Sequence, residues 1–475
     1  LSTILANVIG GEHVLAADGR TSPLIDPVTG EQAGTATVSA APEVEAAMSA
    51  AAKAFATWRR ATPARRQDAL LAIADGLAAR AEEIADAECR ETGKPRAAMT
   101  GEEIPMCVDT LRFFAGAARH LEGKAAAEYM DGLTSWIRRE PIGVCAQITP
   151  WNYPLMMAVW KIGPALAAGN TVVLKPAEST PTSTAILAEV AAEALPAGAC
   201  NVVLGDRDTG RLIVGHEVPQ LISITGSTRA GIQVARSASA DLKKLHLELG
   251  GNAPVVVFDD ADIPAAVEGV IGGAFLNAGQ DCTAGSRVLV HSAVHDAFVA
   301  ELAKKAAAQR TGLPSREDAD FGPLNNADQL DRVLGLLERL PDHAKVHTGG
   351  HRVGDRGYFI APTVISGLRA DDEIVREEIF APIITVQPFG TEAEAAELAN
   401  GVPQGLASSV WTTDHARALR MSAELDFGAV WLNNHGALTS EMPHGGFKHS
   451  GYGKDLSAYS LEDYTRVKHV MSSTG

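Results

Sequence analysis

Cys282 stands in the string Gly279-Gln280-Asp281-Cys282-Thr283-Ala284-Gly285. Its thiol is a candidate nucleophile, because a thiolate adds to a carbonyl carbon and holds the acyl group that results. Glu248 lies 34 residues earlier, in Leu247-Glu248-Leu249-Gly250-Gly251-Asn252, near the end of a strand-like stretch from Lys244 to Leu249. A carboxylate there suits a general base that activates water against a thioester, and the paired glycines let the chain turn closely against a ligand. Asn152, in Thr149-Pro150-Trp151-Asn152-Tyr153-Pro154, offers a side-chain amide to a developing oxyanion, with the Cys282 backbone N–H as a second donor. Thiol, carboxylate and amide are the parts needed to attack a carbonyl, stabilise its oxyanion and hydrolyse the product. Each alone has a plainer reading: a buried structural thiol, a salt-bridge acid, an Asn in a turn bracketed by two prolines.

These groups need elements to hold them. Residues 42–92 carry Ala, Leu, Ile and Met at helical spacing among charged residues, punctuated by Pro63 and Gly93, and a further helix is expected over 101–119. Asp131-Gly132 between Glu128–Met130 and Ser135–Arg139 predicts a hairpin. From residue 143 short apolar runs alternate with helical ones. Strands are expected at Gly143–Ile148, Thr171–Leu174, Asn201–Leu204 and Leu221–Thr225, with helices at Leu155–Ala168, Thr182–Ala194 and Thr209–Val214 and another opening at Ser227. A second series follows Gly250, with strands at Ala253–Phe258, Arg287–His291, Ile383–Pro388 and Ala429–Leu432 and helices over 263–278, 293–309, 391–400 and 414–424. Such alternation predicts an α/β protein with two domains, each built on a parallel sheet with covered faces.

Composition narrows the class. The chain has 475 residues, 46% hydrophobic and 21% charged, which is ordinary for a soluble globular protein and too long for one simple core. Its formal net charge of −17 leaves no basic footprint for nucleic acid. Five widely spaced cysteines, Cys89, Cys107, Cys145, Cys200 and Cys282, with no CxxC, argue for reduced thiols and against a disulfide framework or a zinc site. No apolar run approaches the roughly 18 residues that span a bilayer. The stretch Leu1–Gly10 shows no signal-peptide pattern, so a cytoplasmic setting is the expectation.

Two further strings suit a dinucleotide. The strand from Thr171 ends in Lys175-Pro176-Ala177-Glu178, where a Lys and a Glu can hold ribose hydroxyls beyond the carboxyl end of a strand. The strand from Leu221 runs into Gly226-Ser227-Thr228-Arg229-Ala230-Gly231, a turn whose backbone amides and helix N-terminus favour a pyrophosphate. Neither is the GxGxxG fingerprint. Taken alone, a charged strand end is more often solvated surface and a GxxxxG more often a plain tight turn.

From about Asp26-Pro27 to the tail, these strings resemble the NAD(P)-dependent aldehyde dehydrogenases. The resemblance implies that Cys282 is the nucleophile, Glu248 the base and Asn152 the oxyanion donor. A thiohemiacetal on Cys282 gives up hydride to the nicotinamide and becomes a thioester that water cleaves. It implies an NAD site with Lys175 and Glu178 at the adenosine ribose and Thr225, Gly226, Ser227, Gly231 and Leu249 along the cleft. Glu378 would hold the nicotinamide ribose, with Phe380 beside the ring. Glu178 should repel a 2′-phosphate, which favours NAD over NADP. Lys161 is open between a structural role and a proton relay to Glu248. A metal is not implied. The implied layout is a variant Rossmann cofactor domain over 1–127 and 142–249, a catalytic domain over 250–432, and a β-arm over 128–141 and 456–475 that joins subunits into a homodimer or homotetramer. Departures from the family are Asp26 for Asn, Ala381 for Gly and His444 for an aromatic residue.

The tail, Ser440-Glu441-Met442-Pro443-His444-Gly445-Gly446-Phe447-Lys448-His449-Ser450-Gly451-Tyr452-Gly453-Lys454-Asp455, resembles that of bacterial γ-aminobutyraldehyde dehydrogenases. The substrate then carries a cationic amine away from the reacting carbon, to be met by a carboxylate or aromatic faces. Candidates are Asp281, Tyr153, Trp160 and Asp109, with Glu102 and Glu103 on the helix of Asp109, and Phe447. Betaine aldehyde and 3-aminopropionaldehyde are rival substrates. Succinic semialdehyde fits less well beside Asp281. A catalytically silent NAD-binding protein is the rival of another class.

Overall fold

The structure, a computed structural model, describes residues 4–475; Leu1–Thr3, the first residues of the expected cofactor domain, lie outside the described residues. Five strands with almost wholly buried side chains build the centre of the first sheet: Val144–Ile148, Thr171–Lys175, Cys200–Val202, Leu221–Gly226 and Lys244–Leu249. All pair in parallel, in the spatial order third, second, first, fourth, fifth. Both faces are covered, which is why Val144–Ile148 and Thr171–Lys175 read as largely apolar runs; Lys244–Leu249 alternates instead, with His246 and Glu248 on one face and the leucines on the other. One face packs Val44, Ala47, Met48 and Ala51 of helix Ala41–Trp58 and Val234 of helix Thr228–Ala238. The other packs helices Pro63–Ala79, Ile104–Ala117, Pro154–Ala168 and Thr182–Ala194. The chain returns late to add Gly451–Tyr452 antiparallel beside Lys244–Leu249, with Gly451 opposite Glu248.

The second sheet repeats that order with Pro254–Val257, Arg287–His291, Ile383–Phe389, Ala407–Trp411 and Ala429–Leu432, all parallel. Thr363–Ser366 extends it in parallel beyond Ile383–Phe389, and Lys345–Thr348 closes that edge antiparallel. The architecture is α/β on two sheets, with parallel pairing dominant in each.

A third, antiparallel sheet joins Ala127–Met130, Leu133–Pro141 and Thr465–Ser473. Its hairpin turns at Gly132, whose φ of +71° suits glycine. Within 456–475 only the later part is strand. Ser457–Asp463 is a helix, and its Leu461, with Leu456 and Tyr464 beside it, belongs to the core of the first sheet. The helix expected over 101–119 is also divided: Met99–Glu103 forms a π-helical turn and the α-helix runs Ile104–Ala117. Among the described residues no helix is long and apolar enough to cross a membrane.

Candidate active site

A cavity of about 740 Å³ is walled by loops that follow strands of the first sheet and loops that precede strands of the second. Pro150–Tyr153 follow Val144–Ile148, Ser227 follows Leu221–Gly226, and Gly250 follows Lys244–Leu249. From the other side Asp281–Thr283 lead into Arg287–His291, and Glu378 and Phe380 lead into Ile383–Phe389. Cys282, Glu248 and Asn152 all line this one space. Of the five cysteines, Cys282 alone is not fully buried.

The nucleophile loop is held rigidly. Helix Ile263–Phe275 ends in a turn where Asn277 and Ala278 take φ of +50° and +56°. Non-glycine residues in that region store of order 1–3 kcal/mol each and persist where the surroundings fix them. The Asn277 amide donates to the carbonyls of Asn152 (3.0 Å) and Gln280 (3.2 Å). Gln280, buried, donates to Asn277 O and Pro323 O and accepts the Asn325 N–H. Its own carbonyl receives the Asn152 amide at 2.9 Å. One hydrogen of the Asn152 amide is thus committed to position, and an NH₂ has two. Among the described residues neither the other hydrogen nor the Cys282 N–H has an acceptor. Two free donors beside a thiol are what a developing oxyanion needs. The sequence assigns Gln280 no role; its carbonyl is what aims Asn152.

Removal from bulk water, with Asp281, Glu378 and Glu248 nearby, pushes the Cys282 thiol well above the usual cysteine range. The resting site therefore holds a thiol, and a proton acceptor must act before attack. Glu248 sits at the buried end of its strand, with neither carboxylate oxygen hydrogen-bonded among the described residues. Burial and then Asp455 push its carboxyl far up, while Lys161 and Lys454 pull the other way. Behind it lies a polar cluster. His246 Nε2 is 3.9 Å from Glu248 Oε1 and 3.6 Å from Asp455 Oδ1, and His246 Nδ1 pairs with the Ser223 hydroxyl at 2.8 Å. Lys161 Nζ stands 3.5 Å from Asp455 Oδ2. Burial, with Lys161, Lys244 and Lys454 near, keeps His246 neutral. Geometrically His246, Glu248 and Asp455 converge as three metal ligands can. The two lysines already supply the counter-charge, so the arrangement suits proton exchange better than a cation.

Six of the nine cofactor candidates reach the cavity: Thr225, Gly226, Ser227, Leu249, Glu378 and Phe380. The buried Thr225 hydroxyl has no partner among the described residues. Ser227 caps helix Thr228–Ala238 by accepting the Ala230 N–H, and the N–H groups of Thr228 and Arg229 have no acceptor among the described residues. An unspent helix N-terminus at a strand end fits a pyrophosphate. Lys175 and Glu178 lie outside the cavity wall, two strands away. That is roughly 10 Å at the usual strand spacing, a span that fits a ribose relative to its pyrophosphate. Lys175 Nζ donates to Pro176 O and Gly205 O, with Glu178 3.9 Å away. Gly231 does not face the cavity. A Cβ there would lie 2.5 Å from both terminal carbons of Leu249, so its role is to let helix and strand pack closely. The Glu378 carboxylate accepts the Gly251 N–H at 2.9 Å, and burial pushes its carboxyl up to about 7. Phe380, at φ +57°, stands edge-on to Trp151 and is held through its carbonyl by Gln329.

The rest of the wall carries the substrate candidates Asp281, Tyr153 and Trp160. Asp281 is less free than its position in the string implied: Oδ1 accepts the Thr283 N–H and hydroxyl, and Oδ2 accepts the Tyr153 hydroxyl at 2.8 Å. Asp109 does not reach the wall; it is exposed and accepts the Ser440 hydroxyl. Glu102, three positions into the π turn, takes its place there. Glu103 also lines the cavity, with both oxygens on Lys94 Nζ, which lies 4.0 Å over the Tyr153 ring. Phe447 is no wall either, being 43% exposed beneath Lys454. His444 is on the wall, edge-on to Trp160 at 5.3 Å, and burial lowers its pKa to about 4.

The profile of the Aldehyde dehydrogenase family matches residues 14–470. A betaine aldehyde dehydrogenase from Staphylococcus aureus, solved with NAD+, is 34% identical, with a TM-score of 0.96 over 99% of this chain and 95% of that one. An aldehyde dehydrogenase from Bacillus cereus, also an NAD+ complex, is 36% identical, with a TM-score of 0.97 over 100% of this chain and 97% of that one. With Cys282, Asn152 and Glu248 gathered in one cleft at the ends of two sheets, the chain belongs to the aldehyde dehydrogenase family.

Proposed function

We propose that the protein oxidises a short aldehyde bearing a terminal primary amine, 4-aminobutanal in equilibrium with 1-pyrroline, to the amino acid with NAD as acceptor. The observation that carries this reading is the company of Cys282: the carboxylate of Asp281 and the ring faces of Tyr153 and Trp160 lie on the same cavity wall. A primary ammonium has three N–H donors. Asp281 Oδ2 accepts one hydrogen bond and has room for a second, and the neutral His444 ring can accept without repelling a cation. Betaine aldehyde is the second reading, supported by the likeness to the Staphylococcus aureus enzyme. A quaternary ammonium offers no N–H and depends on the aromatic faces alone.

The thiol of Cys282 gives its proton to the ionised form of Glu248, and its sulfur adds to the carbonyl carbon while Asn152 and the Cys282 N–H receive the oxyanion. Ser227, Leu249 and Glu378 would hold NAD, which would supply the hydride acceptor that lets the adduct on Cys282 become a thioester. Glu248 must be ionised before it can serve as base, and His246, Asp455 and Lys161 give its proton an exit away from the substrate. Ionised, it takes a proton from water, the hydroxide cleaves the thioester, and the acid leaves with Cys282 restored. Glu178 near Lys175 supports NAD over NADP, since a 2′-phosphate would meet a second negative charge.

Two attributes travel with this reading. The arm exposes Tyr129, Met130, Val467 and Met471, a set of apolar side chains suited to a second copy, in a homodimer or dimer of dimers. Five unpaired cysteines favour a reducing compartment such as the cytoplasm.

The test is NAD reduction over amino-, trimethylammonio-, carboxy- and alkyl aldehydes of matched length, in the native protein and in Asp281→Ala. The amino substrate should have the highest kcat/KM, and its KM should rise about tenfold in the variant against little change for the alkyl aldehyde. Equal changes on both would remove the role of Asp281. A trimethylammonio preference would install the second reading, and no NADH from any aldehyde would indicate a silent protein.

A further inference from the structure

Charge is unevenly spread over this chain. Its formal net charge is −17, yet Arg59, Arg60, Arg66, Arg138, Arg139 and Arg466 converge on one cavity of about 440 Å³, remote from Cys282, with Glu140 as its lone acid. The arginines come from two bodies. Arg59 and Arg60 follow helix Ala41–Trp58 and Arg66 stands in helix Pro63–Ala79, whereas Arg138 and Arg139 lie on arm strand Leu133–Pro141 and Arg466 on arm strand Thr465–Ser473.

Not all of them are committed. Arg66 is buried and donates to the last carbonyls of helix Pro154–Ala168, Ala167 O and Ala168 O, so it is a fixed structural charge. Arg139 is tied to Glu122 O, the Thr465 hydroxyl and Glu462. Glu140 is shared by Arg138 at 3.8 Å, Arg466 at 3.5 Å and Lys468 at 2.6 Å, one carboxylate against three cations. Arg59, over the Phe55 ring, and Arg60 have no carboxylate partner among the described residues. Six like charges around one acid repel each other, and an anion in their midst relieves that repulsion.

We propose that this cavity binds a small polyphosphate anion, linking the arm to the body of the subunit. Guanidinium groups pair bidentately with phosphoryl oxygens. Arginines on two facing walls suit a chain of phosphoryl groups better than a single one. Pro141 is the one apolar residue of the lining and no aromatic side chain is present, so charge is read and a base is not.

Titration calorimetry at constant ionic strength tests this, on protein saturated with NAD so that the cofactor cleft is filled. Tripolyphosphate should bind one saturable site per chain about tenfold more tightly than inorganic phosphate, with affinity falling as salt rises. Equal affinity for ATP points to free polyphosphate as the source, and tighter ATP to a nucleotide's phosphoryl tail. Arg60→Ser and Arg466→Ser should each weaken tripolyphosphate about tenfold, and Arg60→Lys should restore only part, since Lys lacks the fork. Unchanged NADH production in the variants shows that they are folded. Absence of a saturable site, affinity unchanged in both variants, or tighter citrate than tripolyphosphate would overturn the proposal. So would sedimentation showing that Arg60→Ser alters the subunit count while the native protein takes up no anion, which would assign the cavity to a second copy.

Discussion

At the switch point of the first sheet, between Val144–Ile148 and Leu221–Gly226, the crevice beyond the strand ends is left open by Gly226 and Ser227. At the equivalent point of the second sheet, between Pro254–Val257 and Ala407–Trp411, the chain fills the crevice itself. The Asp260 carboxylate accepts the hydroxyls of Thr412 and Thr413 and the N–H groups of Thr413 and Asp414, at the start of helix His415–Glu424, and Arg417 binds it from the side. Burial works to raise that carboxyl; the hydrogen bonds and Arg417 outweigh it and hold it below the usual carboxylate range. An internal anion thus occupies the place where the first sheet keeps room for a ligand. Topology supplies a crevice twice; small side chains in one and an acid in the other decide which becomes a site. The second sheet meets the cavity from its opposite end, through the loops of Cys282 and Glu378.

Substitutions separate the two crevices. Cys282→Ala should lower kcat/KM by at least about 10⁴-fold while leaving the melting temperature near that of the native protein, since the nucleophile is lost and little packing is. Asn152→Ala should cost about 10²–10³-fold in kcat, as removal of one oxyanion donor does elsewhere. Both effects are read from initial rates of NADH formation. Asp260→Ala should do the reverse. Its kcat should stay within about twofold, while chemical denaturation shows a loss of about 2 kcal/mol, because Thr412, Thr413 and Asp414 donors lose their acceptor while Arg417 keeps Asp259 and Glu392. A large loss of kcat in folded Asp260→Ala would mean that the second crevice takes part in the chemistry.

How far the sequence shows this difference follows from burial. The strands of the first sheet stand out because apolar residues dominate runs such as Thr171–Lys175 and Leu221–Gly226, where Leu221, Ile222 and Ile224 flank a single buried Ser223. Strand Ala407–Trp411 goes unrecognised because Ser408 and Ser409 interrupt the pattern. Both are buried, satisfied by Ala429 O and by His435 Nδ1, contacts 21 and 26 residues away. Cys282, Glu248 and Asn152 are readable since their chemistry is local to each string. The partners of Glu248 are not, because Asp455 arrives through a strand added some 200 residues later. The acids of 102–109 mislead for another reason. The π turn at Met99–Glu103 breaks the 3.6-residue phase, so Glu102 rather than Asp109 meets the cavity.

The smallest expected effect tests whether the second sheet contributes a titrating group to the shared cleft. Glu378 comes from the second sheet's amino end, and burial raises its carboxyl to about 7, eased by the Gly251 N–H and by Arg332. Its folded pKa lies above the ordinary carboxylate value. In the cofactor-free protein the stability it contributes is therefore full below that ordinary value and is lost as pH rises through about 7. Above that pH the ionised group is the stronger acceptor for a ribose hydroxyl, by about 1 kcal/mol. KM for NAD should then fall about fivefold between pH 6 and pH 8. Glu378→Gln, isosteric and without charge, should flatten that dependence and hold KM near its low-pH level. A slope that survives the substitution would move the titration to another group, and a slope of the opposite sign would show that the neutral carboxyl, acting as a donor, is the form that grips the cofactor.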